Sequence, residues 1–203
     1  MDQMTPLSND GSPKASNPTD VQLLFEPNIS INGLIDNGTV PFFLGRLQDV
    51  RQAGQDLIME LNTSGGDADV ARRIALEVRL FQKHSGKRAF CVGKSKVYSA
   101  GITIFAAFPR QRRFLTEDAV LLVHERRLEE SLNLHGPIKS CIQIVREQLA
   151  VLETAEWLER EGFEQLVEGS SLSADELYVR ATENCYLHAR EAVELGLVER
   201  VLV

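Results

Sequence analysis

An α/β fold with a parallel sheet is what this sequence predicts, on three observations. Short apolar runs bounded by turn-forming residues recur at 56–62, 87–93 and 119–123, the pattern of strands covered on both faces. Between them lie segments whose apolar residues recur at helical spacing, and a strand, a crossover helix and a second strand make a parallel pair with the helix packed outside it. The third observation is the stretch KVYSAGITIFAAF, residues 96–108. There Ser99 and two small residues, Ala100 and Gly101, lead into a self-burying helix face of Ile102, Ile104, Phe105 and Phe108.

Taken in order, residues 1–20 are mostly Ser, Asn, Asp, Pro and Gly, with little to bury, and are expected to be a mobile tail ahead of one domain spanning 21–203. The run VQLLFEPNISINGLID reads as extended segments broken by Pro27. An Asn37-Gly38 turn then leads into a helix from about Pro41 to Gln52, with Leu44, Leu47 and Val50 on its inner face. After the strand 56–62 comes the turn Thr63-Ser64-Gly65-Gly66. Asp67 caps the next helix, whose inner residues are Val70, Ile74, Val78 and Phe81.

The strand 87–93 follows, then the Ser99 helix. Beyond Pro109, the cluster Arg110, Arg112 and Arg113 is expected as a solvated turn or an ion-pairing edge between subunits. A buried strand 119–123 ends at His124. A long amphipathic helix runs from about Pro137 to Arg160, with Ile138, Ile142, Val145, Leu149 and Leu152 forming a narrow stripe suited to a partner helix or to the parent core. Ser173 and Asp175 open a short helix. The chain ends in a helix over 189–195, Gly196 as its stop, and a terminal strand.

A length of 203 residues buries a sizeable core without disulfides, and Cys91, Cys141 and Cys185, an odd set in apolar surroundings, read as reduced packing thiols. The formal charge of −7, with no basic run, argues against nucleic acid as a partner. The N-terminus has no signal-peptide core and no run approaches the ~20 apolar residues of a membrane span, so a cytoplasmic protein is expected.

Three loop features follow strands of one sheet and can meet at one edge: the Gly65-Gly66 turn, Ser99 and His124. Neutral imidazole has the basicity to take a serine proton near pH 7. Backbone N–H groups at Gly66 and Ala100 can hold the oxyanion of a tetrahedral intermediate. The plain alternatives are close helix packing at Ser-Ala-Gly, an anion site at the glycine turn, which Asp67 and Asp69 disfavour, and an ordinary hydrogen-bonded histidine at 124. His84, His135 and His188 have no such company and read as surface or satisfied polar residues.

The sequence resembles the Clp protease proteolytic-subunit family, serine peptidases that stack as rings inside ATP-driven degradation machines. NTSGG (62–66) is similar to the family's Asn-Ser-Pro-Gly-Gly, Ser99-Ala100-Gly101 to its Ser-Met-Gly, and LLVHE (121–125) to its Met-Ile-His-Gln. YLHAREAVELGLVE (186–199) is similar to its Phe-Leu-Ser-Ala-x-Glu-Ala-x-x-Tyr-Gly-Leu-Ile-Asp. His124 stands 25 positions after Ser99, the family's separation.

The resemblance implies the ClpP/crotonase fold: repeated strand-helix units, a parallel sheet and a long amphipathic helix. It also implies cleavage of unfolded polypeptide through an acyl-enzyme. Ser99 becomes the nucleophile, His124 the general base, Gly66 and Ala100 the oxyanion hole, and Asn184 falls where the family has an aspartate. Asparagine orients an imidazole but lends it no charge, and an Asp-to-Asn change costs ~10⁴ in turnover in a well-studied serine protease. Glu183 or Glu125 are possible substitutes, and Asn184 also reads as a plain turn residue.

No metal or organic cofactor is implied. The expected partners are a polypeptide substrate, further copies of the chain in a ring, and an AAA+ unfoldase. Three departures stand out: KSKVY before Ser99 is longer and more basic than the family's pattern, ERRLEES replaces Gln-Pro after His124 in the region of the ring-stacking handle, and the N-terminal segment lacks the family's axial loops. A catalytically impaired ring component and an acyl-CoA enzyme on the crotonase fold are the alternative functions.

Overall fold

Strands and helices alternate along the chain in the computed structural model, which describes residues 17–129 and 131–203. The first half comprises α1 (Asp20–Phe25), β1 (Ile29–Asn32), α2 (Thr39–Gln52), β2 (Leu57–Thr63), α3 (Ala68–His84), β3 (Ala89–Tyr98) and α4 (Ala100–Ala106). The second half comprises β4 (Arg113–Thr116), β5 (Val120–Val123), α5 (Ile138–Val167), α6 (Ala174–Ala181), β6 (Cys185–His188), α7 (Ala189–Glu194) and β7 (Arg200–Leu202).

One sheet carries all of these strands, in the order β1-β2-β3-β4-β7, and it divides at β3. Residues 91–93 of β3 pair with β4, while residues 96–98 pair with β5, both in parallel. Strand β6 then adds to β5 as the antiparallel pair. The division coincides with a shift in the β2–β3 register, where Leu61 faces Gly93 but Thr63 faces Val97. Two extra residues on β3 make a bulge at which Ser95 takes φ 52°. The basic KSKVY segment is therefore strand, and its extra length re-aims β3 from one partner to another.

Strand β2 alternates fully buried Leu57, Met59, Leu61 and Thr63 with half-buried Ile58, Glu60 and Asn62. The first set faces the main core, shared with Phe43, Leu47, Ile74, Val78, Ile104 and Phe105 of the helices. Across the sheet, Leu23 of α1 joins Phe90, Val92, Phe114 and Leu202 in a second, smaller cluster. Asp67 caps α3 as expected, accepting the N–H groups of Asp69 (2.8 Å) and Val70 (3.0 Å).

Several local expectations are corrected. Residues 20–25 are helical rather than extended, because Thr19 and Gln22 form a reciprocal capping box. Of the segment 1–20, residues 1–16 lie outside the described residues; Asp20 pairs with Arg200 across the sheet end. Phe43 is buried on α2 with the expected Leu47 and Val50, Leu44 packs half-buried against the same core, and the helix begins two residues earlier than its proline indicated. Cys141 is half-exposed on α5, unlike buried Cys91 and Cys185.

Arg113 is the sharpest correction. It is 2% exposed, and its guanidinium donates to the carbonyls of Phe108 (2.6 Å), Leu166 (2.7 Å), Ala106 (3.0 Å) and Gln165 (3.1 Å). These oxygens stand at the C-terminal ends of α4 and α5, where a cation is favoured by the helix dipole. Burial nevertheless pushes the guanidinium down to about 10. Arg110 and Arg112 are half-buried, and the Arg112 guanidinium lies over the Phe90 ring at 5.6 Å.

Helix α5 extends past Arg160 to Val167, and the core anchors it through Phe163, Leu166 and Val167. Its first half leaves Ile138, Ile142, Val145, Leu149 and Leu152 all exposed. No helix among the described residues is long and apolar enough to cross a membrane.

Candidate active site

The parallel register of β3 and β5 builds the site. Tyr98 is level with Leu122, so Ser99 and His124 emerge from the same ends of adjacent strands. The Ser99 N–H donates to the Leu122 carbonyl at 2.9 Å, which ties the strand-to-helix turn to β5. At that turn Ser99 takes φ 54° and ψ −120°, a backbone conformation disfavoured for a residue with a side chain. Such a conformation costs about 1–3 kcal/mol and persists only where its surroundings enforce it. Here it makes the abrupt turn that lifts the hydroxyl off the end of the strand at the mouth of α4.

The glycine turn closes in from β2. A Cβ on Gly65 would lie 2.7 Å from the Ser99 Cβ and 3.2 Å from its Oγ, so only a glycine lets the two loops touch. Gly65 and Gly66 both take positive φ, 98° and 141°, and a Cβ on Gly66 would collide with the Ile35 carbonyl at 2.1 Å. Thr63 fixes the turn from beneath: its hydroxyl donates to the Gly33 carbonyl (2.6 Å) and accepts the Gly65 N–H (3.0 Å). The N–H groups of Gly66 and Ala100 have no acceptor among the described residues.

Gly66, Ser99, Ala100 and His124 line one cavity of about 810 Å³. Its walls come from α4, α5 and α6 and include Ile102, Leu152, Phe163 and Tyr178. The structure thus brings together four of the five residues singled out in the sequence. The fifth, Asn184, lies beside them without lining the cavity. Strand β6 runs antiparallel to β5 with Val123 opposite Cys185, where the ladder ends, so His124 and Asn184 are the next residues beyond that end on either side. Asn184 takes φ 63°, in the left-handed region that asparagine tolerates.

Neither side chain points its polar atom at the other. The Asn184 Oδ1 accepts from Arg127 at 3.4 Å, and His124 Nδ1 lies 2.6 Å from the carbonyl oxygen of Glu125, to which it donates in the Nδ1–H tautomer. Arg127 belongs to the segment between β5 and α5, whose described residues form neither strand nor helix. That segment also supplies Arg126, whose guanidinium pairs with Asp69 at 3.2 Å and whose backbone N–H donates to the Glu159 carboxylate.

Glu159 is the residue the sequence reading missed. It is 9% exposed and lines the cavity. Burial raises its carboxyl above the usual range, against the Arg126 N–H, and the nearby charges of Glu125 and Glu156 add to the rise. A signal was present: position 159 falls seven residues after Leu152 and seven before Leu166, on the helix face where an apolar residue is expected.

A family model described as Clp protease matches residues 21–203. The chain is 23% identical over 176 residues to the ATP-dependent Clp protease proteolytic subunit 2 of Pseudomonas aeruginosa, a match covering 86% of this chain and 80% of that protein. Among solved structures, an Asn-to-Asp mutant of ClpP1 from Listeria monocytogenes matches with a TM-score of 0.66 at 18% identity, over 89% of this chain and 94% of that one. In sequence over nearly its whole described length, and in fold, this chain belongs to the Clp protease family.

Proposed function

We propose that this chain is a serine-type endopeptidase subunit that cleaves unfolded polypeptide through an acyl-enzyme on Ser99. His124 takes the Ser99 proton as Oγ attacks the scissile carbonyl carbon, then delivers it to the departing amine as the C–N bond breaks. Water, deprotonated by the same imidazole, releases the acyl product. The oxyanion is held by the Gly66 and Ala100 N–H groups, each such donor being worth ~10²–10³ in rate. The observation that carries the proposal is the β3–β5 register, with the strained Ser99 and His124 leaving neighbouring strand ends beside two N–H groups that have no acceptor among the described residues. Asn184 is the proposed orienting residue, reaching His124 once its Oδ1 leaves Arg127.

The exposed apolar stripe on α5 supports assembly into a homo-oligomeric ring, with an AAA+ unfoldase as the partner that feeds it. Cytoplasmic location belongs to the same reading. The test is labelling by a fluorophosphonate probe: modification of the wild type, absent in Ser99→Ala, is expected. An unmodified wild type would favour a catalytically silent ring component. That second reading has its own support, since His124 Nδ1 meets a backbone carbonyl and Asn184 an arginine, leaving the imidazole without its orienting partner.

A further inference from the structure

Charge in the cavity around Ser99 is unevenly satisfied. Three arginines line it, and each is engaged: Arg72 (3.7 Å) and Arg126 (3.2 Å) by Asp69, and Arg127 by Asn184. Five carboxylates line it too: Asp67 caps α3, Asp69 holds the two arginines, and Glu125, Glu156 and Glu159 have no cationic partner within 4.0 Å among the described residues. Glu159 is the most buried of them. One of its oxygens takes the Arg126 N–H, and the other has no donor among the described residues. That second oxygen is not sealed, because the one sealed side-chain polar atom without a partner among the described residues is Asn62 Oδ1, and Glu159 lines the cavity. Among the described residues no group of carboxylates, histidines or cysteines could hold a metal ion.

Resting on the peptidase reading above, we propose that Glu159 selects substrates carrying a lysine or arginine side chain on the acyl side of the scissile bond. Such a side chain has the two parts the cavity asks for. Its alkyl stem packs on apolar surface while its cationic head keeps a polar partner, and here Ile102, Leu152 and Phe163 supply the apolar wall and Glu159 the partner. A neutral side chain of equal length fills the same wall but leaves Glu159, with Glu125 and Glu156 on the same cavity, without a counter-charge. An acidic side chain adds a further negative charge.

Serine-reactive diphenyl phosphonates test this on the full-length chain. One carries a lysine-like aminobutyl side chain and the other a norleucine-like butyl side chain. Each is attacked by Ser99 Oγ at phosphorus with loss of phenol, and intact mass reports the rate. The aminobutyl reagent is expected to react at least about tenfold faster, the scale of a charge-assisted hydrogen bond. In Glu159→Gln, whose amide oxygen still accepts the Arg126 N–H, the ratio should fall close to one. Glu156→Gln, at an exposed position, should lower the ratio less. Equal rates in the wild type, or a preference that survives Glu159→Gln, overturn the inference alone, provided the small fluorophosphonate labels Ser99. Failure of that labelling overturns it together with the peptidase reading.

Discussion

Replacing Gly101 by alanine tests how the serine is held. Gly101 is the second residue of α4, buried against β2, and a Cβ there would lie 2.4 Å from the Thr63 Cγ2. Thr63 cannot simply rotate away. Its hydroxyl is bonded to the Gly33 carbonyl and the Gly65 N–H, so turning it would free a buried carbonyl and loosen the glycine turn that touches Ser99. The remaining relief is withdrawal of α4 from the sheet, at the end that carries Ser99. Overpacking of this kind costs roughly 1–3 kcal/mol, and alanine returns up to about 1 kcal/mol of helix propensity, so a net loss of about 1–2 kcal/mol is expected. Gly45→Ala in α2 is the control: nothing lies within 4 Å of its added Cβ, and a gain of about 0.5–1 kcal/mol is expected. Urea denaturation at fixed protein concentration measures both, and fluorophosphonate acylation follows the serine. A Gly101→Ala protein as stable as wild type, acylated at the same rate, would refute the close seating of α4 on β2.

Asn184→Asp should speed acylation and peptide turnover by placing a full negative charge near His124, with ~10⁴ as the ceiling; unchanged or slower rates would remove Asn184 from the mechanism. Arg113→Met withdraws the donor shared by four carbonyls at the ends of α4 and α5 and should cost at least about 3 kcal/mol, read as a fall in melting temperature of roughly 6–12 °C. An unshifted melting temperature would mean the guanidinium is not buried. Burial works to raise the Asp56 carboxyl, but its side-chain and backbone hydrogen bonds from Arg88 prevail and hold it below the ordinary 3.8. The native state therefore binds this proton more weakly than the unfolded chain, and the stabilisation is present above pH 3.8 and lost as pH falls through the lower folded value. The stability difference between wild type and Asp56→Asn should shrink correspondingly on acidification, and a difference that holds constant to pH 2 would count against it.

Legibility followed how local each determinant is. Strand β2 and helix α3 were readable because their apolar periodicity, a terminal turn and a capping aspartate all lie within one short window. Helix α1 was misread because six residues give too little periodicity, and its capping box required a threonine on the far side of the assumed boundary. Arg113 was misread for a different reason. Three arginines in four positions look solvated, and only tertiary structure brings carbonyls from α4 and α5 to one of them.

The site divides along the same line. Ser99, His124 and the glycine turn were legible because parallel strands put their following loops at one sheet edge, a consequence of topology that needs no side-chain detail. Asn184 was placed by resemblance alone, and the antiparallel β5–β6 ladder from Val120–His188 to Val123–Cys185 brings residues 124 and 184 to the same end of adjacent strands. Register brings the two residues near and leaves the side chains free to choose partners. The choice falls to the segment after His124, where Arg127 takes the asparagine oxygen and Glu125 the imidazole. The same segment supplies the N–H that fixes Glu159. The residues that distinguish this chain from its family after His124 thus contact the proposed orienting residue, base and specificity residue at once, so a single change in that segment's path would alter orientation and selectivity together.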